Sequence, residues 1–511
     1  MTQPNILLIT TDQQHYSTLG LNNADIETPN LDRLCSEGTR FDRAYCPSPV
    51  CTPSRASILT GQMPSQHGAW TIGVKLDEDI TTIGELLHDS GYVSGLIGKA
   101  HFQPLVSTRF HKSIECQPTL RDLDFWACFE GPWYGFDHVE MSRNHADESH
   151  VGQHYALWLE EKGCTNWRDY FQPVPGDHAA KAPKVGVDPP QHDRFAAWEL
   201  PDHLHYTTWT GERSAAFIER YAGKTPFFLW TSFHDPHPPY AVPEPWASMY
   251  DPDDMKPGAF KPGEFDAMPP HFAKTREIDP DFADWHDPQP AHGCHSHLHD
   301  VDQLRRNMAK YYGMVSFLDR EVGRILDKLD ALGITENTLV VFTTDHGHFL
   351  GQHGLIAKGP FHYEDLLRIP FIVRQKGRIP VGQTSQALQS LVDLAPSFLD
   401  AAGLPIPGAM QGVSQWPCWQ GGDSVREGVI CENRHNPVAP HAMSYVNHQH
   451  KITLYRTGED GELFDLCADP DEVKNLWYRP ECLPLRDAML REMMQAVLAS
   501  EPIRNPRQAV A

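Results

Sequence analysis

The stretch that decides the fold is Ile6-Leu7-Leu8-Ile9-Thr10-Thr11, which runs directly into Asp12. Four consecutive aliphatic residues leave no polar face, so we expect a strand that is buried on both sides. Such strands are typical of parallel sheets that helices cover on both faces. This stretch therefore predicts an α/β protein with a carboxylate, Asp12, at the carboxyl end of a core strand.

Three later segments repeat this form, and each is followed within a few residues by polar side chains. The segments are Tyr92–Ile97, Phe227–Trp230 and Leu339–Phe342, and the polar pairs are Lys99 with His101, His234 with His237, and Asp345 with His346. Between the last two strands, apolar residues recur in steps of three and four from Leu304 to Leu332 and predict a helix that Gly333 ends. We expect a mostly parallel, doubly wound sheet flanked by helices, with the ligand beyond the carboxyl ends of its strands.

The remaining chain predicts two domains. We expect residues 1–420 to form the larger α/β domain, which carries the polar strand ends, and residues 421–511 to form a smaller α+β domain with strands near Lys451–Tyr455 and Glu462–Leu466 and a helical tail. The first domain carries two irregular insertions, 103–210 and 235–300. The second insertion holds a run of histidines, either a solvated loop or a metal site: His292, His295, His297 and His299.

The first insertion is rich in aromatic residues, with three interpretations open: an apolar pocket for an aryl group, core, or a subunit interface. Prominent members are Trp126, Trp133, Tyr134, Trp158 and Trp167. Insertions of this length often make contacts between protomers, so we expect a homo-oligomer.

The charge balance excludes two classes of partner. The 511 residues carry 43 Lys plus Arg against 67 Asp plus Glu, a net charge of -24. Nucleic acid and anionic membranes both need a basic face, so neither is expected to bind. No signal-type segment or apolar run of transmembrane length is evident, and eleven scattered cysteines suit a reducing compartment. We therefore expect a cytoplasmic protein.

The segment Cys51-Thr52-Pro53-Ser54-Arg55 carries the most functional information. Thr52 is a plausible N-cap and Pro53 suits the first helical position, which places Cys51 at a helix N-terminus. There the helix dipole and free N–H groups favour negative charge. Arg55 lies one turn further on, where it could hold an oxygen of residue 51 or of a bound anion.

This string resembles the signature of the sulfatases, C-x-P-S-R followed by a short helix and T-G. The other family elements follow in order: Gly98-Lys99-Ala100-His101, His234-Asp235-Pro236-His237, Asp345-His346-Gly347 with Lys358, and a closing Glu462-Leu463-Phe464-Asp465-Leu466. The chain therefore resembles the formylglycine-dependent sulfatases of the alkaline phosphatase superfamily, close to bacterial arylsulfatases and phosphonate monoester hydrolases.

The resemblance implies hydrolysis of a small anionic sulfate ester at a modified residue 51. A formylglycine-generating enzyme would oxidise Cys51 to formylglycine, whose hydrated diol supplies the nucleophile beside one divalent metal. Arg55, Lys99 and Lys358 would neutralise the transferring group. His237 would act as general acid, and His101 would orient the diol or act as base. For His234, direct contact with the reacting group and support of its neighbours both stay open.

The implied metal ligands are Asp12, Gln13, residue 51, Asp345 and His346. The family commonly has two adjacent aspartates where this chain has Asp12-Gln13. Calcium prefers an all-oxygen, strongly anionic shell, so one fewer charge and a nitrogen ligand shift the preference from Ca²⁺ toward Mn²⁺.

Three functions remain open at this point. The first is a sulfatase that acts on aryl or small organic sulfates. The second is a phosphonate monoester or phosphodiester hydrolase, because the Asp12-Gln13 pair resembles those relatives, although they tend to lack the G-K-x-H element found at Lys99 and His101. The third is a non-catalytic anion-binding protein in which Cys51 stays a thiol.

Overall fold

The computed structural model describes residues 3–143, 151–171, 198–277, 300–434, 441–456 and 459–502. The histidine run at His292, His295, His297 and His299 lies outside these residues, so its interpretation is untested. The strands in chain order are β1 Asn5–Thr11, β2 Thr39–Phe41, β3 Ala44–Tyr45, β4 Val93–Gly98, β5 His138–Met141, β6 Phe227–Ser232, β7 Thr338–Thr344, β8 Phe349–Leu350, β9 Ile356–Ala357, β10 Arg368–Ile369, β11 Phe371–Arg374, β12 Gln383–Ser385, β13 Gln389–Ser390, β14 Gly428–Asn433, β15 Ala442–Asn447, β16 His450–Tyr455 and β17 Gly461–Asp465.

The main sheet has eight strands in the order β12-β2-β11-β7-β1-β6-β4-β5. Strand β1 lies at its centre, where Ile6 pairs in parallel with Phe228 of β6 and with Leu339 of β7. The five strands from β7 to β5 are all parallel, while β11 runs antiparallel to β7 and to β2. The predicted mostly parallel α/β sheet is confirmed.

Helices cover both faces of this sheet. The α-helices of the described residues, in chain order, are α1 Pro29–Ser36, α2 Cys51–Thr60, α3 Pro64–His67, α4 Ile83–His88, α5 Leu123–Cys128, α6 Gln153–Glu161, α7 Tyr206–Tyr221, α8 Pro270–Lys274, α9 Val301–Ala331, α10 Glu364–Leu367, α11 Leu394–Ala401, α12 Trp416–Trp419 and α13 Leu483–Ala499. Ile6 and Leu8 pack into one hydrophobic cluster, and Leu7 and Ile9 pack into a second cluster with α9. The unbroken apolar run of β1 is therefore explained by burial on both sides.

The long predicted helix is present as α9. Its core-facing side is apolar, and it ends at Ala331 with Leu332 as C-cap, after which Gly333 adopts a positive φ of 65°. A left-handed residue just past the last turn is the usual way for glycine to stop a helix.

The aromatic residues named in the first insertion belong to the core. Trp126, Trp133 and Tyr134 join the cluster on one face of the main sheet, while Trp158 and Trp167 form a satellite cluster around α6. Of the three interpretations left open, the structure supports core packing for these five side chains. The insertion also supplies β5, which extends the sheet beside β4.

A smaller C-terminal domain follows the main sheet. Strands β14, β15, β16 and β17 form an antiparallel sheet in sequence order, and α13 packs against it through Met489 and Met493. The predicted strands and helical tail are confirmed, whereas the boundary between residues 420 and 421 stays a prediction. Within the described part of the chain, no helix is long and apolar enough to span a bilayer.

Candidate active site

The polar residues predicted at strand ends do converge. Strands β4, β6, β1 and β7 are neighbours in the sheet and run in the same direction. Lys99, Asp12 and Asp345 directly follow β4, β1 and β7. Parallel strands present their carboxyl ends at one edge, so residues hundreds of positions apart meet there.

Helix α2 brings Cys51 to the same edge, but it starts earlier than the sequence suggests. The helix begins at Cys51 with Val50 as N-cap, so the prediction that Thr52 is the N-cap and Pro53 the first helical residue is wrong. Pro53 fits the third position because N–H groups in the first turn have no partner within the helix. Cys51 still lies at the helix N-terminus, fully buried.

Four potential metal-ligand atoms lie together at this point. One atom each from Asp12, Cys51, Asp345 and His346 falls within 4.8 Å of the others. The Cys51 Sγ lies 3.2 Å from His346 Nε2 and 3.6 Å from Asp12 Oδ1. Two carboxylates, one imidazole and residue 51 therefore surround a common point, as a divalent cation would require.

The backbone sets the orientation of the His346 ring. Its Nδ1–H donates a hydrogen bond of 2.9 Å to the Gly347 carbonyl. Because a carbonyl only accepts, Nδ1 carries the proton and Nε2 presents its lone pair to the cluster. Burial lowers the pKa of His346 to about 4, so the ring is neutral, as a metal ligand must be.

Gln13 supplies a further oxygen. It has a positive φ of 63°, and its N–H donates to Asp345 Oδ1 at 2.9 Å. Its side-chain Nε2 lies 2.9 Å from His348 Nδ1, and His348 Nε2 lies 3.0 Å from the Tyr240 hydroxyl. Gln13 Oε1 is buried with no hydrogen-bond partner among the described residues, as expected for an oxygen that coordinates a cation.

Three cations surround the carboxylates and the thiol. Lys99 Nζ donates to Asp12 Oδ2, Arg55 Nε donates to Asp345 Oδ2 at 2.9 Å, and Lys358 Nζ lies 3.1 Å from Cys51 Sγ. Burial alone would raise the pKa of Asp12, but Lys99 and the other cations outweigh it and hold that pKa well below its usual value. Asp12 is therefore anionic throughout the physiological pH range.

Arg55 thus lies where the sequence places it but contacts different groups. Its Nη1 donates to the Lys99 carbonyl at 3.1 Å and to Ser232 Oγ at 2.7 Å. Its Nη2 lies 3.9 Å from Asp12 Oδ2. The guanidinium therefore contacts both carboxylates of the cluster and connects α2 with the residues at the ends of β4 and β6.

The histidines lie on the β4 and β6 side of the cluster. His101 is buried at a φ of 62°, and neither ring nitrogen has a hydrogen-bond partner among the residues the structure describes. His237 Nδ1 donates to the Pro238 carbonyl at 2.5 Å, which leaves the lone pair on Nε2 in the neutral ring. His234 Nε2 lies 2.7 Å from the Ser142 carbonyl, so its observed role is to support the segment after β5.

Comparison with protein families identifies the lineage. The model of the family described as "Sulfatase" matches residues 4–404, and one described as "N-sulphoglucosamine sulphohydrolase, C-terminal" matches residues 351–499. The chain belongs to the sulfatase family. Members are hydrolases of sulfate esters, and a metal ion with a formylglycine nucleophile is typical of the family.

Curated relatives cover nearly the whole sulfatase chain. An arylsulfatase of Clostridium perfringens is 28% identical over 96% of this chain and 94% of its own length. A choline-sulfatase of Rhizobium meliloti is 25% identical over 94% of this chain and 83% of its own length. Among solved structures, the phosphonate monoester hydrolase of Agrobacterium radiobacter has a TM-score of 0.77 at 23% identity, covering 98% of this chain and 96% of that one. It establishes the shared alkaline phosphatase-like fold.

Several residues of this sulfatase site were not found from the sequence. His348 and Tyr240 fix the Gln13 amide, and Glu115 accepts the backbone N–H groups of His101 and Phe102 at 3.1 and 2.9 Å. One signal was available for His348, since it alternates with His346 directly after a core strand. No local pattern marks Glu115, because its partners are more than ten residues away.

Proposed function

We propose that this chain hydrolyses sulfate monoesters of aryl or small organic alcohols, with residue 51 as formylglycine and one divalent metal ion. The observation that carries the proposal is the convergence of Asp12, Cys51, Asp345 and His346 within 4.8 Å. Lys99, Arg55 and Lys358 surround this cluster and suit a sulfate group, which needs local cations in a protein of net charge -24. The arylsulfatase and choline-sulfatase relatives support the same substrate class.

The residues present fit a divalent metal. Asp12, Asp345, His346 and residue 51 would hold it, together with Gln13, whose buried Oε1 has no hydrogen-bond partner in the described part of the chain. When bound, the metal and the formylglycine diol supply an activated oxygen nucleophile. One nitrogen donor and one amide oxygen favour Mn²⁺ over Ca²⁺ at this site.

The side chains of this chain have separate tasks in that reaction. Lys99 and Lys358 neutralise the sulfate group, and Arg55 holds the ligand carboxylates in place. His101, whose ring nitrogens have no hydrogen-bond partner within the described ranges, orients residue 51 or accepts its proton. His237 serves as general acid only when Nε2 is protonated, because Nδ1–H is already donated to Pro238. The negative charge of a bound sulfate favours that protonation.

Phosphonate monoester or phosphodiester hydrolysis is the second candidate function. The Asp12-Gln13 pair and the structural likeness to two phosphonate monoester hydrolases favour it. Sulfate is ranked first because Lys99 and His101 complete the G-K-x-H element, and Lys99 contacts Asp12 directly. Both transferred groups are tetrahedral anions, so the second activity is expected as a weaker side reaction.

Two measurements on one preparation test the proposal. Protein from a host with a formylglycine-generating enzyme is checked by peptide mass spectrometry for conversion of Cys51. Its kcat/KM is then compared for aryl sulfate and aryl phosphonate esters, with Cys51→Ala as the inactive control and Cys467→Ser, an exposed cysteine, as the matched control. We expect conversion and a preference for sulfate. An unconverted, inactive protein would remove the enzymatic interpretation, and a phosphonate preference of several hundredfold would reverse the order.

A further inference from the structure

Before residue 51 is oxidised, the cluster contains the cysteine thiol and therefore offers a different set of donor atoms to a metal. In that state it offers one thiol sulfur, one imidazole nitrogen and two carboxylate oxygens, from Cys51, His346, Asp12 and Asp345. Softer donors such as thiolate and imidazole select zinc and similar ions, whereas calcium and magnesium need oxygen alone. Oxidation of residue 51 replaces the only sulfur of the set with oxygen and so changes which metal the site prefers.

The spacing of the donor atoms suits a tetrahedral ion. Zn–S bonds of about 2.3 Å and Zn–N or Zn–O bonds of about 2.0 Å place neighbouring ligands roughly 3.3–3.6 Å apart. In the structure, Cys51 Sγ lies 3.2 Å from His346 Nε2 and 3.6 Å from Asp12 Oδ1. His346 Nε2 lies 3.9 Å from Asp345 Oδ1. The two edges at sulfur match the tetrahedron within about 0.3 Å, and the nitrogen–oxygen edge is about 0.6 Å longer than in the tetrahedron.

The surrounding residues complete the requirements of a zinc–thiolate site. The Gly347 carbonyl fixes the His346 tautomer, Arg55 holds the second oxygen of Asp345, and Lys99 holds the second oxygen of Asp12. Lys358 Nζ, 3.1 Å from the sulfur, is placed to donate to a thiolate. Such outer hydrogen bonds orient metal ligands and account for much of the metal affinity.

We propose that the unconverted chain is a zinc protein, in which Cys51, His346, Asp12 and Asp345 bind Zn²⁺ in a form inactive toward esters. Binding forms a sulfur–zinc bond, and the Sγ–H proton leaves to solvent, with no change of oxidation state. The zinc form is inactive because a thiolate has no second hydroxyl with which to release a transferred sulfate. The inference concerns the encoded cysteine and does not rest on the proposed function.

The test uses the full chain from a host without a formylglycine-generating enzyme, with intact Cys51 verified by peptide mass spectrometry. After chelation, zinc binding is measured by elemental analysis and competition titration, and Co²⁺ is added separately to look for a thiolate-to-cobalt charge-transfer band. We expect one tight zinc per chain and the charge-transfer band. Cys51→Ser should bind zinc at least 10²-fold more weakly and lose the band, while the control Cys467→Ser should retain both.

Equal zinc affinity in Cys51→Ser, or the absence of the charge-transfer band from the unsubstituted chain, would overturn the inference. The band is read on the unsubstituted chain, so the test survives a folding failure of the variant. Adventitious binding by the 29 histidines is separated because it does not depend on Cys51. Ester hydrolysis is measured on the converted protein alone, so failure of the zinc inference and failure of the proposed function are distinguishable.

Discussion

Two of the buried clusters of charged side chains among the described residues balance their charges differently. The active-site cluster consists of Asp12, Asp345, Lys99, Arg55 and Lys358, around Cys51. The C-terminal cluster consists of Lys451, Glu364, Glu462 and Glu472, where α10 meets the C-terminal sheet. The first has more cations than carboxylates, and the second has three carboxylates around one lysine.

The two clusters differ in how far their carboxylates keep their negative charge. In the active-site cluster the pKa of Asp12 is held well below its usual value, so it keeps its charge for a cation. In the C-terminal cluster burial raises the pKa of Glu462 to about 7 and that of Glu472 to about 8, and the surplus negative charge is removed by protons. The active-site cluster therefore keeps charged carboxylates beside a group of potential metal ligands, whereas the C-terminal cluster approaches neutrality by protonation.

The largest expected effect is on the C-terminal cluster. Lys451→Met should lower the free energy of unfolding by about 3–5 kcal/mol, because it breaks the buried ion pairs of Lys451 with Glu364 and Glu472 and leaves only protonation to neutralise these carboxylates. Urea denaturation checks this, with Lys162→Met as control, since Lys162 pairs with Glu212 at the surface and should matter by less than about 1 kcal/mol. Equal effects of the two substitutions would contradict a structural role for Lys451.

The second-largest expected effect follows from the loss of the Arg55 contacts in the active-site cluster. Arg55→Ala should reduce kcat/KM by on the order of 10²-fold or more, because both ligand carboxylates lose their guanidinium contact. Steady-state kinetics on metal-saturated protein measures this. Arg33→Ala, which breaks a surface ion-pair network with Glu37 and Asp327, should leave kcat/KM within about twofold. Near-normal activity of Arg55→Ala would show that α2 does not serve the site.

A pH experiment sharpens the contrast between the clusters. The pKa of Glu462 is about 7 in the folded chain against 4.5 as its ordinary value, so folding retains a proton that the unfolded chain releases. The stability from this group is complete below pH 4.5 and is lost as the pH rises through 7. In Glu462→Gln, the decrease in the free energy of unfolding between pH 5 and pH 8 should be smaller by about 2 kcal/mol. Urea midpoints at pH 5 and pH 8 measure it, and the same pH dependence in the variant would contradict the assignment.

The smallest effect concerns the Gln13 amide. His348→Phe removes the acceptor for Gln13 Nε2, so Oε1 is no longer fixed toward the metal. Mn²⁺ affinity by calorimetry should fall about tenfold, as is usual for groups that orient a metal ligand. His348→Gln should restore part of it by accepting the same hydrogen bond, and His88→Phe, at the surface, should change nothing. No loss in His348→Phe would mean that Gln13 is not a ligand.

The sequence predicted the centre of the fold well and its edges poorly. The core strands were visible because continuous aliphatic runs such as Ile6–Ile9 have few alternatives to double burial. Strand β5, His138–Met141, has no such run, and its own residues do not indicate its parallel pairing with β4. The start of α2 was misplaced because Val50 caps it without a side-chain hydrogen bond, so no capping residue marks the true position.

The residues of the site were likewise predicted in part. Residues within ordered motifs, such as Asp345 and Lys99, were predicted because each motif is local in sequence. Contacts between distant segments were not, and the pairing of Gln13 with His348, 335 residues apart, depends on how the strands are ordered in the sheet. The hydrogen bond from Arg55 to Asp345 could not be predicted either, because it depends on the distance between α2 and the end of β7.

The position of Cys51 early in the chain also determines when its thiol becomes buried during synthesis. Its burial depends on His346 and Asp345, which are synthesised about 295 residues later. At translation rates of roughly 5–20 residues per second, that interval lasts on the order of 15–60 s. During it the pocket around the thiol is incomplete. The proposed oxidation of Cys51 would therefore compete with the synthesis and folding of β7, and slower translation should yield more converted chains.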